Sequence, residues 1–271
     1  PQCASRAARR PAMPVISVTG RSESSIASAA GSSTARAPNG LAASEINFAN
    51  ARRNPNAQTR RWQFTPESFT ADAQANPVID GRIRKQDCGQ ISDGAAIVFL
   101  ANEAVARRWA AARGRPMGSL SRILGWGHRT APISYQAKVE ASRGQPYVFP
   151  FVRATIQDAF RRAGVAGIDA IDGIETHDCF TSTEYMAIDH FGITPPGESW
   201  RAIESGDIEL GGRIPVNPSG GLIGLGHPVG ATGGVIITKL LHELIRVNGR
   251  YGMATMCIGG GQGITTIWER V

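Results

Sequence analysis

Three short polar loops in this 271-residue chain carry the side chains able to do chemistry: His177-Asp178-Cys179-Phe180, Gly226-His227-Pro228 and Cys257-Ile258-Gly259. An imidazole can accept or donate a proton near neutral pH. A thiol is a nucleophile or a base once it is a thiolate. Taken one at a time these residues have plainer readings. A histidine in a glycine loop is more often a structural hydrogen bonder, and a cysteine ending an apolar strand is usually a small buried hydrophobe. The loop around His227 is distinctive. Asn217 to Gly234 is too glycine-rich for a helix or strand interior, and glycine permits positive φ and close backbone approach to a ligand. Ile237, Leu240, Leu241, Leu244 and Ile245 then repeat at helical spacing, with Asn248-Gly249 as a stop. The loop therefore feeds a helix N-terminus, where free N–H groups and partial positive charge favour anions.

Composition limits what such a site serves. The net charge is +7, with 26 of the 29 basic residues arginine and only three lysine. That imbalance reads first as a base-composition bias of the gene, and otherwise as an electropositive face for a phosphate-bearing ligand. No basic run interleaves with aromatic residues, so a nucleic-acid partner is not expected. Gly259 to Gly263 lacks the lysine of a phosphate loop, and the first half has no GxGxxG between a strand and a helix, which argues against a dinucleotide site. The cysteines at 3, 88, 179 and 257 have neither CxxC nor zinc-type spacing, so no metal site is expected. They read as separate thiols of a reducing compartment, cytoplasmic, or mitochondrial or peroxisomal if the source is eukaryotic. No apolar run reaches membrane-spanning length.

The elements that must position these loops follow from periodicity. Residues 1–40 are Ser-, Ala- and Arg-rich with Glu23 the only acid, and read as an irregular or non-native segment, with a transit peptide as the alternative. A short helix is expected from Leu41 to before Asn54-Pro55, and a buried strand over Ala95–Leu100 followed by a helix through Trp109. Ser121–Trp126 reads as a strand, Phe151–Ala163 as an amphipathic helix and Ile171–Glu175 as a strand. Thr181-x-x-Glu184 reads as a capping box opening the next helix. Residues 193–216 are a Pro/Gly-rich excursion. Tyr251–Ile258 and Ile264–Trp268 form a closing antiparallel edge pair. Strands alternating with helices predict an α/β layered fold.

Together the loops resemble the C-terminal half of the thiolase family, enzymes that make or break carbon–carbon bonds between acyl-CoA units. His177-Asp178-Cys179-Phe180 is similar to the HDCF loop of the sterol-carrier-protein-type branch, where many thiolases have NEAF. Asn217 to Gly233 is similar to the NxxGGxxxxGHPxGxTG block, and Cys257-Ile258-Gly259 to the CxG motif. Gln86 to Ala95 resembles the segment leading into the last strand of the family's first half. The resemblance covers roughly residues 41 to 271. It implies a layered α-β-α thiolase-like fold, with 41–116 a remnant of the first half and loop region and 117–271 the C-terminal domain.

The resemblance also implies roles. His227 would activate a nucleophilic cysteine and bind a thioester oxygen, and His177 would help form one oxyanion hole. The Gly259 N–H would serve the other hole. Cys257 would be the acid/base, with Cys179 the alternative, as in HDCF members. Ser219, Gly220, Phe180 and Cys88 would line the substrate. The substrate would be a coenzyme A thioester, with no covalently bound cofactor. Homo-oligomers and a small OB-fold partner protein would be the protein partners. A thiolase also needs a nucleophilic cysteine in a Cys-x-Ser-Gly turn. Cys3-Ala4-Ser5 imitates it, but Arg6 stands where glycine is wanted and no strand precedes it. The expectation is therefore a chain carrying the acid/base and oxyanion half and inactive alone, or a non-catalytic acyl-CoA- or lipid-binding subunit.

Overall fold

A computed structural model describes residues 15–17 and 40–271. In chain order these form β1 (Val15–Ser17), α1 (Gly40–Arg53), β2 (Val78–Asp80), β3 (Ile83–Arg84), β4 (Phe99–Ala101), α2 (Glu103–Ala112), β5 (Ser121–Arg129) and α3 (Tyr135–Ser142). Then come α4 (Pro150–Ala163), β6 (Gly173–Thr176), α5 (Thr181–Phe191), α6 (Ser199–Glu204), α7 (Gly221–Leu225), α8 (Thr232–Arg246), β7 (Tyr251–Gly259) and β8 (Gln262–Arg270). The main sheet has strand order β4-β1-β5-β8-β7-β6, and β2 pairs with β3 apart from it. All neighbours in the main sheet are antiparallel except β6 and β7, which are parallel.

Alternation along the central strands sets the layers, because successive side chains point to opposite faces. Met253 of β7 and Ile267 of β8 enter one core with Val152, Ile156 and Ala159 of α4 and Ile188 of α5. Their neighbours Ala254 and Trp268 enter the opposite core with Ile236, Leu240, Leu241 and Leu244 of α8. Helices thus cover both faces of a mixed sheet, the α/β layered arrangement expected. On the α4 side the contact is unusually close. A Cβ at Gly125 or Gly127 of β5 would overlap the carbonyl oxygens of Ala159 or Thr155 on α4.

Several elements depart from the sequence reading. The expected buried strand at 95–100 is only the short β4, with Phe99 and Leu100 each 61% exposed. Apolarity alone does not distinguish an edge strand from a central one. The β7–β8 pair is antiparallel as expected, but it lies inside the sheet, flanked by β6 and β5. Part of the glycine stretch is helical after all, as the single turn α7, and α3 was not foreseen. Of the segment 1–40 the structure describes β1 and Gly40. All three residues of β1 pair with β4, and Val15 and Ile16 also pair with β5. Cys3 lies outside the described residues. No helix among the described residues is long and apolar enough to cross a membrane.

The capping box at Thr181 does not form. The N-cap of α5 is Phe180, without a side-chain cap bond. Thr181 Oγ1 instead donates to Asp87 Oδ1 at 2.6 Å, and Glu184 is drawn inward to Asn47 and Asn217. A buried long-range acceptor has taken the place of the local cap.

Candidate active site

The two histidines meet although fifty positions separate them. His177 follows β6, and its N–H donates to the Thr255 carbonyl (3.1 Å), extending the β6–β7 ladder past the strand end. His227 follows Gly226, the C-cap of α7 with φ 113°, a value that favours glycine. Its backbone N–H donates to the Gln90 carbonyl (2.7 Å), and residues 91 and 227 pair in parallel. The rings lie edge to face, with centroids 5.2 Å apart and Nε2 to Nε2 3.4 Å.

The hydrogen-bond network assigns the His227 tautomer. Thr232 Oγ1 donates to the Pro228 carbonyl at 3.0 Å, so its hydroxyl proton is committed. It can then only accept from His227 Nδ1, 2.7 Å away. That places the proton on Nδ1 and leaves Nε2 with a lone pair facing His177. Burial lowers the pKa of His227, and burial followed by the nearby His227 pushes His177 down to about 4. Both rings are therefore neutral at pH 7, one offering a lone pair and the other able to donate Nε2–H. Thr232→Val should release the His227 tautomer, read as an Nε2–H population in long-range ¹⁵N–¹H spectra. It should cost roughly 1–3 kcal/mol for the buried N–H left unpaired.

Two of the thiols, Cys179 and Cys257, lie close enough to interact electrostatically. Cys179 is part-buried, 3.8 Å from Thr183 Oγ1. Burial, with smaller contributions from Asp178 and Cys257, pushes its thiol up. Cys257 stands on β7 opposite Gly263, beside the irregularity that ends the strand. Gly259, Gly260 and Gly261 follow with φ of 145°, 56° and 87°, three successive left-handed values. Cys88 is turned to the Arg84 carbonyl (3.4 Å), while its backbone bridges to the half-exposed Phe180. Ser219 and Gly220 are tied into the scaffold. Ser219 donates from both N and Oγ to Glu175 (3.0 and 2.9 Å), and Gly220 packs on Ala51 of α1. Beside His227, residues 92–96 and 228–231 line a shallow cleft of about 510 Å³, within the usual range for small-molecule sites.

Beneath the loops lies a polar layer that the sequence reading missed. Asp178 Oδ1 accepts from Leu222 N (2.6 Å), and Oδ2 accepts from Ile223 N (3.3 Å) and Asn47 Nδ2 (3.2 Å). Glu184 accepts from Asn47 (2.5 Å) and Asn217 (3.1 Å), and Asn217 Oδ1 accepts from Thr176 N (2.9 Å). Asn50 and Asn54 donate to the carbonyls of Asn217 and Ser219. Asn47 and Asn50 of α1 and Asn54 just past its end, at i, i+3 and i+7, make one polar face. That spacing was the signal available in the sequence.

Burial dominates the ionisation of this layer. It pushes Glu175 up to about 8 and Glu184 up to about 7, and raises Asp178 with help from the neighbouring Glu184. The folded values of the two glutamates exceed the ordinary 4.5, so their contribution is fully present below that pH and is lost as pH rises through 7 and 8. His177 has the opposite sign. Its contribution is present above 6.5 and is lost as pH falls through about 4. Between about pH 6.5 and 8.5 the carboxyl groups dominate, so the melting temperature should fall across that range. Glu184→Gln should flatten the fall by on the order of 1–2 kcal/mol, measured by urea unfolding at each pH.

Residues 136–270 match the family model described as "Thiolase, C-terminal domain". Beta-ketothiolase BktB of Cupriavidus necator is 34% identical over 192 residues, 71% of this chain and 39% of that protein. Acetyl-CoA acetyltransferase of Methanothermobacter thermautotrophicus is 34% identical over 198 residues, 70% of this chain and 45% of its own length. Human sterol carrier protein 2 is 31% identical over 183 residues, 67% of this chain and 32% of its length. The chain thus spans less than half the length of these relatives. Among solved structures, the Ltp2-ChsH2(DUF35) aldolase shares the fold, with a TM-score of 0.67 at 21% identity over 86% of this chain and 58% of that one.

Proposed function

Because this chain belongs to the thiolase family, with residues 136–270 its C-terminal domain, we propose that it handles acyl-CoA thioesters and supplies oxyanion and acid/base groups for Claisen condensation or thiolysis. The observation that carries this reading is the pair of neutral imidazoles with Nε2 atoms 3.4 Å apart, in a chain whose loops also supply Cys179 and Cys257.

In this reading His227 Nε2, held unprotonated by Thr232, takes the proton of an attacking thiol and then, as Nε2–H, donates to the thioester oxygen. His177 donates to the same developing oxyanion. Preorganised donors of this kind stabilise charge where it forms, without reorganisation. A thiolate at Cys257 removes the α-proton of an acetyl thioester, and the Gly259 N–H receives the enolate oxygen. The resulting carbanion attacks the second acyl carbon, whose thiol leaves with the proton. Thiolysis is the reverse.

A second reading is a non-catalytic acyl-CoA-binding subunit, possessing one wall of a site completed by another polypeptide. It is favoured by the absence, among the described residues, of any thiol hydrogen-bonded to His227. Calorimetric titration with acetyl-CoA tests what the two readings share. Binding with a dissociation constant between about 1 μM and 1 mM is expected, and no heat at millimolar ligand would sink both. Deuterium uptake at the α-carbon of acetyl-CoA in D₂O then separates them, since binding without exchange leaves only the second.

A further inference from the structure

We propose that Asp178 is a positioning residue: its carboxylate ties the loop bearing His177 and Cys179 to the helix that delivers His227, and so sets the spacing of the two imidazoles. Asp178 is fully buried between His177 and Cys179 in sequence. Its two oxygens accept the N–H groups of Leu222 and Ile223 at the start of α7. That helix is one turn long and ends at Gly226, so His227 is the next residue. A single helical turn is a short stiff rod, at about 1.5 Å per residue. Where its first amides are fixed, its far end is fixed as well.

The close approach is built into the chain. A Cβ at Gly221 would overlap the Asp178 carboxylate, and Gly221 itself has φ 60°, so only glycine fits there without strain. Behind the carboxylate, Asn47 donates to both Asp178 and Glu184, and Asn217 holds Glu184 from the other side. The titratable groups facing Asp178 are therefore Glu184 of α5 and Glu175 of β6. A plain helix cap would need none of this connection to the histidine loop. The inference rests on the acyl-CoA reading only for what the imidazoles act upon.

The test is made on the full 271-residue chain and needs no substrate, so its failure is distinct from failure of the acyl-CoA reading. Histidine ring titrations are followed by NMR in the wild type, in Asp178→Asn and in Glu184→Gln. Asparagine turns a donor toward the Ile223 and Asn47 N–H groups, which should open the loop–helix junction. His177 is then expected to titrate at least tenfold more readily, a rise of about one pH unit or more, while Glu184→Gln leaves it in place. A folded Asp178→Asn chain with unchanged histidine titrations would overturn the proposal, as would an equal shift in Glu184→Gln. Should Asp178→Asn fail to fold, amide hydrogen exchange in the wild type decides. Leu222 and Ile223 amides as protected as those of β7 support the tie, and rapid exchange there overturns it.

Discussion

Cys257→Ala is expected to slow deuterium uptake at the α-carbon of acetyl-CoA in D₂O by roughly 10²- to 10⁴-fold, the usual worth of a positioned general base. Cys179→Ala should leave the rate close to wild type. The exchange isolates α-proton removal and needs no second acyl group or covalent intermediate, so it reads the acid/base half of the proposed chemistry alone. The assignment to Cys257 rests on what surrounds each thiol. Cys179 is pushed up by burial and by the neighbouring Asp178 and Cys257, which disfavours its thiolate. Cys257 stands beside the three-glycine turn, where backbone N–H groups can approach an enolate oxygen without a side chain intervening. The opposite result, with exchange lost only in Cys179→Ala, would transfer the base to the HDCF loop. Exchange by the wild type that survives both substitutions would remove both thiols from the chemistry.

The second large effect concerns the scaffold. Gly125→Ala combined with Gly127→Ala should destabilise the chain by about 3 kcal/mol or more, read as a collapse of the urea midpoint. Each new methyl would meet a carbonyl of α4, at Ala159 and at Thr155. Backbone cannot move aside as a flexible side chain can. The helix would have to lift off β5, breaking the core it shares with Met253 and Ile267. Gly144→Ala provides the contrast, since nothing lies within 4 Å of a Cβ there. Its φ of 68° predicts a modest loss from backbone strain alone. Equal effects at the two places would show that α4 does not rest on the glycines.

Much of this architecture was legible because it is local. The apolar repeat in α8 and the amphipathic stripe of α4 predict helices through side-chain spacing alone, and the structure forms both. The short α1, ending before Asn54-Pro55, was equally readable. What failed was local in appearance but settled by distant partners. Thr181 and Glu184 satisfy a capping pattern, yet Asp87, Asn47 and Asn217 outcompete the local cap from up to 137 positions away. Ser219 is likewise tied to a distant partner, donating to Glu175 44 positions away. Burial strengthens such bonds and makes each unpaired group costly, so tertiary partners override local preference there.

The sequence by itself determined which residue types stand in the three loops, helices such as α4 and α8 that side-chain spacing sets, and the membership of the thiolase family that those loops announce. Only the tertiary structure decided that His177 and His227 touch through Nε2 and that Thr232 sets the proton on Nδ1. It alone decided that an asparagine face of α1 and three buried carboxyl groups hold the loops from beneath. The reason is physical. Spacing along a chain fixes a helix or a strand, whereas a tautomer, a shifted pKa and a 3.4 Å approach depend on burial and on partners that the chain brings together only on folding.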